Sequence, residues 1–207
     1  MPGNHETGCS CQHELAEPTP GGTVWLDQWI DHSNTESCNE EVPRSCVGLL
    51  RPYSRRLEDQ VPCTLDKEEE IDEPLLISVA FTCPVKVTGM TVIGGSDGRI
   101  PTKVDLYSNL ASMELAHEMA PSQSIDPLVE DLCGAIEYPL RAVRFSQVTR
   151  LVLKIFGPEG FELNWLGFRG IASGDKREAV VTVYESRPNL ADHEVKENVT
   201  MSSRHIS

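Results

Sequence analysis

Leu75-Leu76-Ile77-Ser78-Val79-Ala80-Phe81, then Thr82-Cys83-Pro84, then Val85-Lys86-Val87-Thr88-Gly89-Met90-Thr91-Val92-Ile93 is the stretch on which the fold turns. The first block puts Leu75, Ile77, Val79 and Phe81 on one face, and the last sets Val85, Val87 and Ile93 against a more polar face. A period of two is that of a strand, not a helix. Thr82-Cys83-Pro84 between them predicts a hairpin or a sheet-to-sheet turn. Downstream, past the Gly94-Gly95-Ser96-Asp97-Gly98 loop, further strands are predicted at 103–107, 142–145, 150–156, 163–171 and 179–184. About seven short strands separated by Gly, Pro and Asp turns point to an all-β protein, an antiparallel β-sandwich. The segment from Asn109 to Ala135 has no clean period. It reads as a long connection with one helical turn, which suits a jelly-roll crossing between sheets.

Upstream the pattern weakens. In Val24-Trp25-Leu26-Asp27-Gln28-Trp29-Ile30 the pairs Trp25/Trp29 and Leu26/Ile30 are each four apart, giving one apolar stripe on a short helix, read as a helix or turn packed on the body in preference to an exposed partner-binding stripe. From Asn34 to Pro74 the chain reads as irregular and ends in the acidic run Glu68-Glu69-Glu70-Ile71-Asp72-Glu73, expected to be solvated. Residues 1–22, rich in Pro and Gly, are expected to be a flexible arm, and residues 186–207 a flexible tail. One domain, 23–185, lies between them.

The 207 residues include 18 basic and 32 acidic side chains, a formal charge of -14. That balance argues against nucleic acid and anionic membranes as partners, because both attract through Lys and Arg. No run approaches the roughly 18 apolar residues of a membrane span, and Met1-Pro2-Gly3-Asn4-His5-Glu6 lacks the basic-then-apolar pattern of a secretion signal. The expected location is the cytoplasm and the nucleus. The seven cysteines are then expected to be free thiols, and Asn198-Val199-Thr200 to carry no glycan. No heptad seam calls for self-association, so a monomer is expected.

Chemistry-bearing residues are few. His5, Cys9, Cys11 and His13 offer thiolates and imidazoles of the kind zinc or copper(I) selects. Cys9 and Cys11 are one residue apart, whereas zinc sites favour two to four, so Cys9, Cys11 and His13 are candidate ligands on composition alone. No Gly-x-Ser-x-Gly turn or Cys-x-x-Cys occurs. The 94–98 loop leads into Pro101 and another strand rather than a helix, so it reads as a plain turn and not a phosphate loop. Asp192-His193 lies in the tail, without the rigid setting a catalytic base needs. No cofactor and no catalytic activity are expected.

Several segments in order resemble the PITH (proteasome-interacting thioredoxin) domain family: Asn39-Glu40; Asp72-Glu73-Pro74-Leu75-Leu76 leading into Ile77-Ser78-Val79-Ala80-Phe81; Pro84-Val85-Lys86-Val87; and Pro101 with Leu106-Tyr107-Ser108-Asn109. Arg144-Phe145-Ser146-Gln147-Val148 and Leu166-Gly167-Phe168-Arg169-Gly170 continue the likeness. Asn189-Leu190-Ala191-Asp192-His193-Glu194-Val195 and His205-Ile206-Ser207 are similar to the stand-alone members that lack a thioredoxin domain. Cys38 departs from the pattern, standing where Leu is usual, and Cys46 and Cys63 are additions in the 42–63 loop. The resemblance implies a jelly-roll sandwich of galactose-binding-like type and a non-catalytic partner of the 26S proteasome regulatory particle. Redox activity of two-domain relatives does not transfer. Asp192, His193 and His205 are candidates for a second contact made by the tail, since an imidazole on a free end can reach a groove or a metal on a partner.

Two alternatives follow from the same residues. One is a carbohydrate or small-ligand module in which Tyr53, Tyr107 or Trp165 would stack on a sugar, with Trp165 expected instead to be core from its place in an alternating strand. The other is a thiol or metal-handling protein acting through Cys9, Cys11 and His13.

Overall fold

The computed structural model describes residues 22–65 and 73–173. In chain order the strands are β1 (Val24–Trp25), β2 (Glu36–Cys38), β3 (Cys63–Thr64), β4 (Leu75–Gly94), β5 (Lys103–Ser108), β6 (Gln123–Ile125), β7 (Tyr138–Pro139), β8 (Val148–Phe156) and β9 (Glu162–Ala172). One short helix, α1 (Ser45–Leu49), and 3-10 turns at Asp27–Trp29, Tyr53–Arg55 and Met113–His117 complete the elements. Every ladder is antiparallel.

β4 belongs to both sheets. Its first half lies between β2 and β8, with Leu75 opposite Ile155 and Val79 opposite Leu151, and β5 and β6 extend that sheet beyond β8. Its second half lies between β9 and β7, with Val85 opposite Ala172 and Ile93 opposite Trp165. β1 and β3 share the far edge of β9, at its two ends. The register shifts between Ala80 and Val85, where Pro84 has no N–H to give the ladder. The chain therefore continues in one direction and changes partners. Of the two predicted outcomes at Thr82-Cys83-Pro84, the hairpin is wrong and the sheet-to-sheet passage is what occurs.

Both sheets turn apolar side chains into one cluster that includes Val79, Val85, Val87, Leu153, Leu166 and Phe168. Each such side chain, fully buried, contributes about 2 kcal/mol. A second, smaller cluster lies on the other face of the first sheet, where Leu76, Tyr107 and Val152 meet Ala116 of the Met113–His117 turn. Tyr107 Oη donates to the Ala116 carbonyl at 3.0 Å, so the ring is buried without an orphaned hydroxyl. The long connection does carry the expected helical turn, together with β6, which its sequence did not announce. The architecture is the antiparallel sandwich of jelly-roll type that the strand pattern led us to expect.

Two local readings are corrected and a third is narrowed. Residues 142–145 form a turn, closed by Arg144 N donating to the Arg141 carbonyl, in which Phe145 is buried and Val143 is 91% exposed. Alternation of apolar residues imitated a strand there. Over Val24–Ile30 the turn, not the helix, is what forms: Trp29 N and Ile30 N donate to the carbonyls of Leu26 and Asp27, three back in each case, giving a single 3-10 turn after β1. Leu26 and Ile30 are nonetheless buried. The 34–74 segment contributes β2, α1 and β3 rather than only loop. The predicted strand 179–184 lies outside the described residues, as do the arm, the tail and most of the acidic run.

Candidate functional site

Trp165 projects from the outer face of β9, and its indole lies across Gly167: a Cβ there would meet the ring at 2.0 Å. The indole Nε1 donates to the Arg51 carbonyl at 2.9 Å, joining the sheet to the loop after α1. Trp25 packs edge-on to Trp165 at 5.5 Å and stacks on Tyr53 with centroids 4.5 Å apart. Arg56 Cζ stands 3.9 Å from the centroid of Tyr53, and Arg169 Cζ 5.2 Å from that of Trp25. A guanidinium and a stacked ring cannot share one face at those distances, so both faces of Tyr53 are covered. The recess between Trp25, Asp27, Arg51, Tyr53 and Trp165 has room for about one water. Trp25 Nε1 is buried there with no acceptor.

Two charged side chains set the loops at this end of the sandwich. Arg51 directs its guanidinium to five backbone carbonyls, those of Gly48, Arg55, Arg56, Glu58 and Asn164, at 2.7 to 3.0 Å. Asp131 accepts from the amides of Cys133, Gly134 and Ile136 at 2.7 to 3.0 Å. Burial opposes ionisation of Asp131, but these amides, with that of Ala135, outweigh it and hold the carboxyl below the usual aspartate range. Arg56 Nε then donates to the Cys133 carbonyl at 2.8 Å and ties the 51–58 loop to the 131–136 loop. The tied loops present Leu57, Val61, Val129 and Leu132 to solvent, each between 47% and 60% exposed. This is the surface with the strongest claim to a partner. Arg51 gave no sequence signal, since one arginine in a loop looks like any other. Asp131 followed three positions later by Gly134 is a turn-forming spacing that the reading of 109–135 as one long connection passed over.

The residues that carry the family likeness are architectural. Glu40 accepts from the amides of Arg44 and Cys46 and the hydroxyl of Ser45, closing the start of α1. Burial opposes its charge, yet these donors and the Ser37 hydroxyl keep its carboxyl below the ordinary glutamate value. Asn39 and Asn109 both have positive φ, 66° and 56°, a conformation asparagine tolerates. Asn109 Oδ1 accepts from the amides of Thr149 and Arg150, pinning the end of β5 to β8. Gly170 admits the Lys86 carbonyl, which a Cβ would meet at 2.0 Å.

Among the sequence candidates, Cys9, Cys11, His13, Asp192, His193 and His205 lie outside the described residues. Tyr107 and Trp165 are buried and Tyr53 is covered, so none of the three offers a sugar an open face. Burial pushes the Cys63 thiol up to about 12 and raises that of Cys46; Cys38 is raised first by partial burial and then by the carboxylates of Glu114, Glu36, Glu40 and Glu73. Thiolate chemistry is suppressed at all three. Among the described residues no three His, Cys, Asp or Glu side chains come together as metal ligands. The 94–98 segment is a plain turn, with Gly95 N donating to the carbonyls of Arg99 and Glu162.

Comparison with known proteins agrees with this reading of the motifs. PITH domain-containing protein 1 of Homo sapiens is 32% identical over 97% of this chain and 95% of its own length. Its Xenopus laevis counterpart is 31% identical over 99% of this chain and 98% of its own length. Among solved structures, CBM32-3 from a family 31 glycoside hydrolase of Clostridium perfringens aligns at a TM-score of 0.46 and 12% identity, over 70% of this chain and 97% of that one. That distant likeness bears on no ligand. The sequence profile of the PITH domain matches residues 16–188, a span that contains every described residue, and the chain therefore belongs to the PITH domain family.

Proposed function

We propose that this chain is a non-catalytic interaction module that docks on the 26S proteasome at its regulatory particle. The observation that carries the reading is the family match over residues 16–188. Local chemistry supports it: the conspicuous polar side chains Glu40, Arg51, Asn109 and Asp131 hold loops in place rather than facing a cleft. In this reading the protein works as a monomer in the cytoplasm and nucleus, and Asp192, His193 and His205 in the tail add a second contact to the one made by the body.

Affinity capture of the tagged full-length chain from lysate at physiological salt, with mass spectrometry and peptidase assay of the eluate, tests this directly. Regulatory-particle subunits in stoichiometric amount are the expected result. Their absence from a folded, monomeric preparation ends the proposal. Deleting residues 186–207 is expected to lower the captured amount, and an unchanged yield removes the tail from the interface.

A further inference from the structure

The tied loops carry four exposed aliphatic side chains, Leu57, Val61, Val129 and Leu132. Leu57 and Leu132 each neighbour a residue of the Arg56–Cys133 hydrogen bond, which brings together the two loops that carry these exposed side chains. Single exposed aliphatics are ordinary on a soluble protein, but grouping on adjoining loops is not. These loops are also held firmly. Arg51 binds three carbonyls of the first, those of Arg55, Arg56 and Glu58, and ties them to Gly48 of α1 and Asn164 of β9, and the second is fixed by Asp131, by Leu128 N on the Thr102 carbonyl and by Val129 N on Tyr138 Oη. Apolar side chains presented on pre-ordered backbone lose little further freedom on binding.

Charge selects the partner. Arg55 is neutralised by Glu58 at 2.7 Å, while Asp59 and Glu130 are exposed and join no ion pair among the described residues. The guanidiniums of Arg51 and Arg56 are turned onto backbone carbonyls, so Asp59 and Glu130 are the charges these two loops leave open to a partner, on a chain of net charge -14. We propose that the 57–61 and 129–132 loops form the docking surface for a protein segment that combines basic and apolar side chains. This deepens the proteasome reading and rests on it for where that segment resides.

The full-length chain is compared with Leu57→Ser/Leu132→Ser, with Asp59→Lys/Glu130→Lys and with Val143→Ser, a control outside the two loops whose side chain is 91% exposed. Each is assayed for captured regulatory-particle subunits and titrated, with amide shifts followed by NMR, against a Lys/Leu amphipathic peptide and its Glu/Leu counterpart. Both double variants are expected to lose about tenfold in capture, and the control none. Only the Lys/Leu peptide is expected to saturate, with shifts on the two loops. Wild-type capture that survives both double variants overturns the docking surface and leaves the proteasome reading intact. If the wild type captures no proteasome, that reading fails and the titration alone decides: saturable shifts at 57–61 and 129–132 sustain the surface, and their absence ends it.

Discussion

Asp131 and Glu40 are carboxylates turned inward on backbone amides, and each is held below its ordinary pKa in spite of burial. A depressed value in the folded state means that the ionised form favours folding. The contribution is complete above the unfolded values, 3.8 for Asp131 and 4.5 for Glu40, and is lost as pH falls through the lower folded values. Asp131→Asn keeps one acceptor oxygen but no charge, and is expected to cost about 2 kcal/mol at pH 7 and to flatten the stability profile between about pH 5 and pH 3. Urea unfolding across that range checks it, and a variant with the wild-type slope would show that the carboxylate is not coupled to folding. Arg51 is the cationic counterpart. Removing its five donors with Arg51→Met leaves the part-buried carbonyls of Gly48, Arg56 and Asn164 unpaired, and unfolding free energy is expected to fall by about 2 kcal/mol. Arg51→Lys is expected to recover only part of this, because an ammonium has three donors and no fork.

At the scale of elements, the same side chains explain why some of the fold was readable and some was not. β5, β8 and β9 are six to eleven residues long, enough for alternation to show, and each was anticipated to within about two residues. β1, β3 and β7 have two residues and β2 and β6 three, too few for any period, and they exist because an adjacent long strand offers an edge. The break in β4 was legible through Pro84; whether the chain then reversed or changed sheets was decided by Phe81 and Val85 entering one core, a tertiary fact. The candidate surface was not legible, because Arg51 and Arg56 act across the fold: Arg51 reaches Asn164, 113 positions away, and Arg56 reaches Cys133, 77 positions away. Trp165 is buried, as its place in an alternating strand predicts, but against Trp25 and Tyr53 and outside the cluster between the sheets, and Gly167 beside it makes that packing possible. Gly167→Ala puts a methyl into the indole and is expected to destabilise the domain by about 2 kcal/mol. Displacing Trp165 would also loosen the Arg51 loop, so amide exchange at residues 51–58 should quicken more than in the first sheet; uniform quickening would show that ring and loop are not linked.

For the whole molecule, 32 acidic against 18 basic side chains mean that the chain repels itself while attracting a basic partner. The two effects respond to salt in opposite directions. Screening acts over about 8 Å at physiological ionic strength and less above it. Raising salt from about 50 mM to about 500 mM should therefore relieve self-repulsion and move the urea midpoint up, while it slows association and lowers the captured yield of a partner that meets Asp59 and Glu130. A loss of yield caused by unfolding would move with the midpoint, so a rising midpoint and a falling yield separate docking from stability in one titration. In an Asp59→Asn/Glu130→Gln variant the yield that remains should depend much less on salt, since what is left at that surface is apolar contact by Leu57, Val61, Val129 and Leu132, whereas in Asp59→Lys/Glu130→Lys it should rise with salt as screening relieves repulsion of the basic segment. A wild-type yield that grows with salt would mean that aliphatic burial alone drives docking and that Asp59 and Glu130 have no part in choosing the partner.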